Sequence, residues 1–152
     1  DFKDATLLLW KGHCSVPQRF RPAHVEDARA AYPGIEILVH PECAHDVVEL
    51  AERVGSTERI QEWVRAAPVG ASIAIATEIH MVQRLAREHA DKTIVSLDPL
   101  VCPCSTMFRI DAPHLAWVLE NLVAGTVVNQ IVVDADTAGW ARTALERMLA
   151  IT

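Results

Sequence analysis

Four short stretches of this sequence carry side chains able to hold a metal, move a proton or bind an anion. The first is EILVHPEC, residues 36–43, in which an apolar run stops in His40-Pro41-Glu42-Cys43. An imidazole and a carboxylate one residue apart can address the same ligand in proton transfer; the other reading of these letters is a surface turn. Lys11-Gly12-His13-Cys14 follows a second apolar run and Cys102-Pro103-Cys104-Ser105-Thr106-Met107 a third. A Cys in an apolar chain is either a small buried hydrophobe or a ligand. Between these two readings, ligation gains at Cys104 relative to the other cysteines because Pro103 places it in an irregular segment that can wrap a metal. Gly55-Ser56-Thr57 opens a helical pattern. There the hydroxyls, free amides and positive helix end make either an ordinary N-cap or a site for a carboxylate or phosphate.

The elements that must position these groups are legible as alternating patterns. Short, nearly continuous runs of Ile, Val and Leu at residues 7–10, 35–40, 72–77, 93–97 and 130–134 suit strands buried on both faces, as in a parallel sheet. Between them lie segments of 3.6-residue spacing: HVEDARAAY, DVVELAERVG closed by Gly55, TERIQEWVRAA, and the helix of Met81, Val82, Leu85 and His89. Two further helices, APHLAWVLENLVAG and DTAGWARTALERML, come after these. Trp63, Trp117 and Trp140 fall on apolar helix faces and are expected in the core. His114, in a first helical turn after Pro113, is expected at the surface or as part of a cap. The alternation predicts an α/β fold, a three-layer αβα domain with a parallel sheet and right-handed crossovers. In such folds ligands lie outside the carboxyl ends of the strands. The His, Glu, Thr and Cys residues just past the strands, Thr77-Glu78 included, therefore converge on one rim.

Composition narrows the chemistry. The chain has 152 residues, 51% hydrophobic and 22% charged, with a net charge of −6. That describes a globular unit. The scattered Lys and Arg form no basic stripe, so nucleic acid is not expected as a partner. No apolar run reaches the roughly 18 residues a membrane span demands. The four cysteines are read as thiols, ligands or core residues of a cytoplasmic chain rather than disulfides. Cys102 and Cys104, with one residue between them, are poorly spaced for a redox pair. There is no H-E-x-x-H, no P-loop and no G-x-G-x-x-G. The start, DFKDATLLLW, has no Met and runs at once into a strand-like segment, as though cut from a longer chain.

Taken in order, W-K-G-H-C-S-V, H-P-E-C, V-G-S-T, A-T-E, C-P-C-S-T-M and a closing L-E-R-M-L resemble quinolinate synthase, the iron-sulfur enzyme of NAD biosynthesis. The resemblance covers essentially the whole chain. It implies related α/β domains meeting at an active site with a 4Fe-4S cluster, held by one cysteine from each of three domains and leaving one iron open as a Lewis acid. Cys14 and Cys104 match two of those metal ligands; Cys43 and Cys102 match none. His40 and Glu42 match residues that line the substrate, with Glu42 the proton carrier, and Ser56 and Thr57 match binders of a substrate carboxylate or phosphate. The implied reaction condenses iminoaspartate with dihydroxyacetone phosphate to quinolinate, and an iminoaspartate-producing oxidase or dehydrogenase is the implied protein partner. The chain is expected to be the C-terminal part of such an enzyme. Residues 1–98 form the α/β layered domain; 99–152 form a segment that carries Cys104 and packs on the N-terminal domain. Where the family reads C-x-V-H after its first cysteine, this chain has Cys14-Ser15-Val16-Pro17, and a pyrrolidine cannot take any acid, base or hydrogen-bonding role of an imidazole. The competing reading is a cluster-free domain that binds an anion or small molecule, or an inactive fragment.

Overall fold

The structure is a computed structural model that describes residues 6, 8, 11–98, 100 and 104–151. It divides into two compact units, Asp1–Phe108 and Arg109–Thr152. Of the strand expected at residues 7–10 only Leu8 is described, and it lies outside any strand and is exposed; the other three positions lie outside the described residues.

In the first unit, β1 (Glu36–Val39), β2 (Arg53–Val54), β3 (Ser72–Ala76) and β4 (Thr93–Ser96) form one parallel sheet in the order β2-β1-β3-β4. Strand alternation sends successive side chains to opposite faces. Ile37, Val39, Ala74 and Ala76 point to one face and join Val25 of α1 (Pro22–Ala31) and Val47 of α2 (His45–Leu50) in a buried cluster. Leu38, Ile73 and Ile75 point to the other, against Ile60 and Val64 of α3 (Thr57–Ala66) and Val82 and Leu85 of α4 (Ile79–Glu88). Each of these fully buried branched side chains contributes about 1.5–3 kcal/mol of hydrophobic stabilisation. The result is the three-layer αβα arrangement that the apolar runs predict.

The helix expected over DVVELAERVG stops early. Ala51 turns extended, and Arg53–Val54 becomes the edge strand β2. The backbone N–H groups of Glu52 and Gly55 donate to the carbonyls of Ile37 and Val39, and the Glu52 carboxylate accepts from the Ile37 N–H. Pairing along an open edge of β1 satisfies more backbone than another helical turn would.

The connections set the position of the site. After β1 the chain leaves through α2 to one face; after β3, its direct neighbour, it leaves through α4 to the other. The crevice between the carboxyl ends of β1 and β3 is thus the topological switch point of the sheet.

The second unit consists of α5 (Ala112–Val123) and α6 (Ala135–Leu149), whose N-caps Asp111 and Asp134 accept from the His114 and Thr137 N–H groups. His114 is exposed and also contacts Asp111 through its ring, in keeping with a cap. Gly125, at φ +78°, closes α5 in the left-handed conformation that glycine adopts without strain. The strand expected at residues 130–134 does not form. No strand among the described residues of this unit offers it a ladder, and Ile131 is 88% exposed. Trp117 and Trp140 are likewise exposed, contrary to the expectation of a core position, whereas Trp63 packs half-buried on the second cluster of the first unit. Among the described residues, no helix is long and apolar enough to cross a membrane.

Candidate functional site

At the switch point, a cavity of about 240 Å³ opens at the carboxyl ends of β1 and β3. His40 and Glu42, past the end of β1, line it together with Thr77 and Glu78, past the end of β3. Cys14 and Pro17 from the preceding loop, Thr57 from the start of α3, and Met81 and Met107 also line it. Four of the six residues singled out by the sequence, Cys14, His40, Glu42 and Thr57, therefore meet in one cavity. Ser56 stands beside Thr57 as the N-cap of α3, its hydroxyl accepting from the Arg59 N–H at 3.3 Å. Cys104 is half-buried against the first cluster, which contains Val16 and Cys43, and its carbonyl accepts from the N–H of Phe108, the residue after Met107.

His40 is held by its own backbone neighbours. Its N–H donates to the Ala76 carbonyl, continuing the β1–β3 ladder by one residue, and its ring Nδ1 accepts from the Glu42 N–H at 3.3 Å. That bond assigns the proton to Nε2 in the neutral ring, since Nδ1 cannot accept from an amide and donate at once. The Glu42 carboxylate, 3.8 Å from Nδ1, is too far for a hydrogen bond and stays more than half exposed. A donor at Nε2 and a solvated carboxylate on the same wall are suited to hold an anionic group and to exchange a proton with it.

The cysteines divide by environment. Cys43 is buried, with its sulfur 3.6 Å from the Ala76 carbonyl, and burial pushes its thiol up to about 11. It is a protonated core residue at neutral pH. Cys14 is exposed at the cavity wall. Cys102 lies outside the described residues. Among the described residues no group of three or more His, Cys, Asp or Glu can hold a metal ion. Two soft thiols, Cys14 at the cavity and Cys104 packed beneath the same loop, are the donor type iron-sulfur clusters take. Their chemistry fits such a group, and a complete ligand set is not formed among the described residues.

Other participants were either not singled out by sequence, as Val16 and Gln18, or named only as part of the rim or as a departure from a motif, as Thr77, Glu78 and Pro17. Pro17 and Val16 are buried, and Pro17 starts a short 3-10 turn, Pro17–Arg19, where its missing N–H leaves no bond unmade. Its Gln18 donates to the Glu42 carbonyl at 3.0 Å. Glu78 caps α4, one carboxylate oxygen accepting from the His80 N–H and the other 2.8 Å from the His80 ring. Thr77 and Glu78 were legible as a strand end; nothing in the spacing marks Gln18.

The family model described as Quinolinate synthetase A protein matches residues 1–150. The chain is 57% identical over 147 residues to the quinolinate synthase of Nocardioides sp., covering 97% of this chain and 37% of that protein. It is 54% identical to that of Streptomyces coelicolor, over 99% of this chain and 39% of the relative, and 55% identical to that of Acidobacterium capsulatum, over 97% and 40%. The chain thus spans about two-fifths of the length of the curated relatives it matches. By a family match that runs nearly from end to end, this chain belongs to the quinolinate synthetase A family.

Proposed function

We propose that this chain supplies one wall of the active site of a cytoplasmic quinolinate synthase, which condenses iminoaspartate with dihydroxyacetone phosphate in NAD biosynthesis. The observation that carries the reading is the meeting of Cys14, His40, Glu42 and Thr57 in one cavity at the switch point of the sheet. Cys14 and Cys104 are two thiolate ligands of a 4Fe-4S cluster, which when bound supplies an open iron as a Lewis acid for loss of water.

The chain's own groups do the rest. Nε2–H of His40 donates to a substrate carboxylate or phosphate oxygen. Thr57, at the amino end of α3, adds a hydroxyl and an unpaired amide where the helix end favours negative charge. Ser56 holds that helix end in shape. Glu42, more than half exposed, takes and returns protons at carbon and nitrogen as water is lost. Iminoaspartate is the product of an amino-acid oxidase or dehydrogenase, which is the partner the reaction calls for. The apolar faces of α5 and α6 pack on the N-terminal part of the longer family protein.

In the full-length enzyme, Cys104→Ser lowers bound iron and sulfide to the level of a cluster-free protein; normal content in that variant would refute the ligand assignment. Glu42→Gln keeps the cluster and lowers kcat by about 10²–10⁴. The anion-binding alternative is distinguished by the same pair: phosphate binding retained with no cluster assembled under any condition supports it.

A further inference from the structure

We infer that the turn Pro17–Arg19 positions the two cysteine-bearing loops against each other, with the Arg19–Asp98 ion pair as its clasp. The Arg19 guanidinium lies 3.3 Å from Asp98 Oδ2, across 79 residues of sequence. Asp98 lies just past β4 at the start of the segment that leads to Cys104, and Arg19 stands five residues after Cys14. The Asp98 side chain is only 9% exposed, and its second oxygen accepts from the Leu100 N–H at 2.8 Å. One carboxylate therefore holds both the Leu100 N–H, on the way to Cys104, and Arg19 of the loop of Cys14.

The neighbouring residue makes a matching link, from Gln18 Nε2 to the carbonyl of Glu42. Val16 and Phe20, on either side, are buried in the same apolar cluster on which Cys104 packs. Three loops, those of Cys14, of His40 and Glu42, and of Cys104, thus converge on one turn anchored from below. A partly buried carboxylate that loses its cation is left uncompensated, which gives the pair leverage beyond that of a surface contact. Ligands of a shared group must be held within about 0.5 Å of their working geometry, and the clasp holds the two ends that bear on it. The inference rests on the reading of Cys14 and Cys104 as ligands; its test does not require the cluster.

In the chain carrying Cys102→Ser, the rate at which a short bifunctional maleimide bridges Cys14 and Cys104 is measured by peptide mapping, without metal. Buried Cys43 does not compete. Arg19→Gln and Asp98→Asn each slow bridging about fivefold, and the double variant is no slower than either alone, as for two halves of one interaction. Asn keeps an oxygen for the Leu100 N–H, and Arg19 is exposed enough for Gln to leave folding intact, which circular dichroism checks. Arg19→Lys restores part of the rate. An unchanged or faster rate in Arg19→Gln, or additive losses in the double variant, overturns the clasp while leaving the ligand reading untouched. Retained iron in Cys104→Ser removes the ligand reading instead.

Discussion

The two units use the same kind of sequence to different ends. In Asp1–Phe108, helices with apolar stripes find a sheet and bury them: two clusters form, one on each face, and the polar residues left over collect at the strand ends. In Arg109–Thr152, α5 and α6 carry comparable apolar content, yet none of the described residues there is buried. Leu115, Leu119, Val123, Trp140 and Leu149 are all exposed. Amphipathic periodicity therefore predicts a helix, but not a core. A core requires a second surface of matching shape, which amphipathic periodicity alone does not supply.

The sharpest test of this contrast is a pair of truncations. Ile37→Ala, in the centre of the first cluster, lowers unfolding free energy by about 2–5 kcal/mol in urea titration. Trp140→Ala, larger in volume but 76% exposed, changes it by less than about 0.5 kcal/mol. Equal losses would erase the distinction between the units.

Gly55→Ala probes how tightly the first unit is packed near the site. A Cβ at this position would sit 2.6 Å from the Trp63 ring and 2.9 Å from the Arg59 Cβ, so the start of α3 must shift. The expected cost is about 1–3 kcal/mol, accompanied by a changed Trp fluorescence. Smaller again is Ser56→Ala, which removes the α3 cap and costs about 1 kcal/mol, equally at all pH values from acid to neutral.

The caps of the second unit behave differently, because both are carboxylates. The backbone N–H of His114 holds Asp111 below the ordinary carboxylate range, and that of Thr137 does the same for Asp134. A depressed folded value means that their stabilisation is present above the ordinary range and is lost as pH falls through the folded one. Acid titration monitored by circular dichroism should show α5 and α6 losing helicity before the first unit. Asp111→Asn should flatten the part of that change due to α5.

Much of the first unit was legible because buried parallel strands leave an unmistakable trace: EILV, SIAIA and TIVS are apolar on both faces, and the residues just past each strand must lie on one rim. His40 and Glu42 were found by that logic, and Thr57 by the helix start after Gly55-Ser56. The helix misjudged at residues 46–54 failed because AERV has helical spacing, while the tertiary contest was decided by an open strand edge at β1. The strand misjudged at 130–134 failed for the converse reason: a β-prone run with nothing to pair with. Gln18 and Arg19 could not be picked out at all, since their partners lie 24 and 79 residues away and exposed polar residues carry no period.

Pro17 bears on how the molecule reaches this state. Its ring restricts the chain before folding as much as after it, and a proline compatible with its native turn adds about 0.4–1 kcal/mol by narrowing the unfolded ensemble. The turn that gathers the three loops is therefore partly preformed in the unfolded protein. A residue that carries no reactive group thus makes the loop of Cys14 easier to assemble, so chemistry and foldability are separable at this one position.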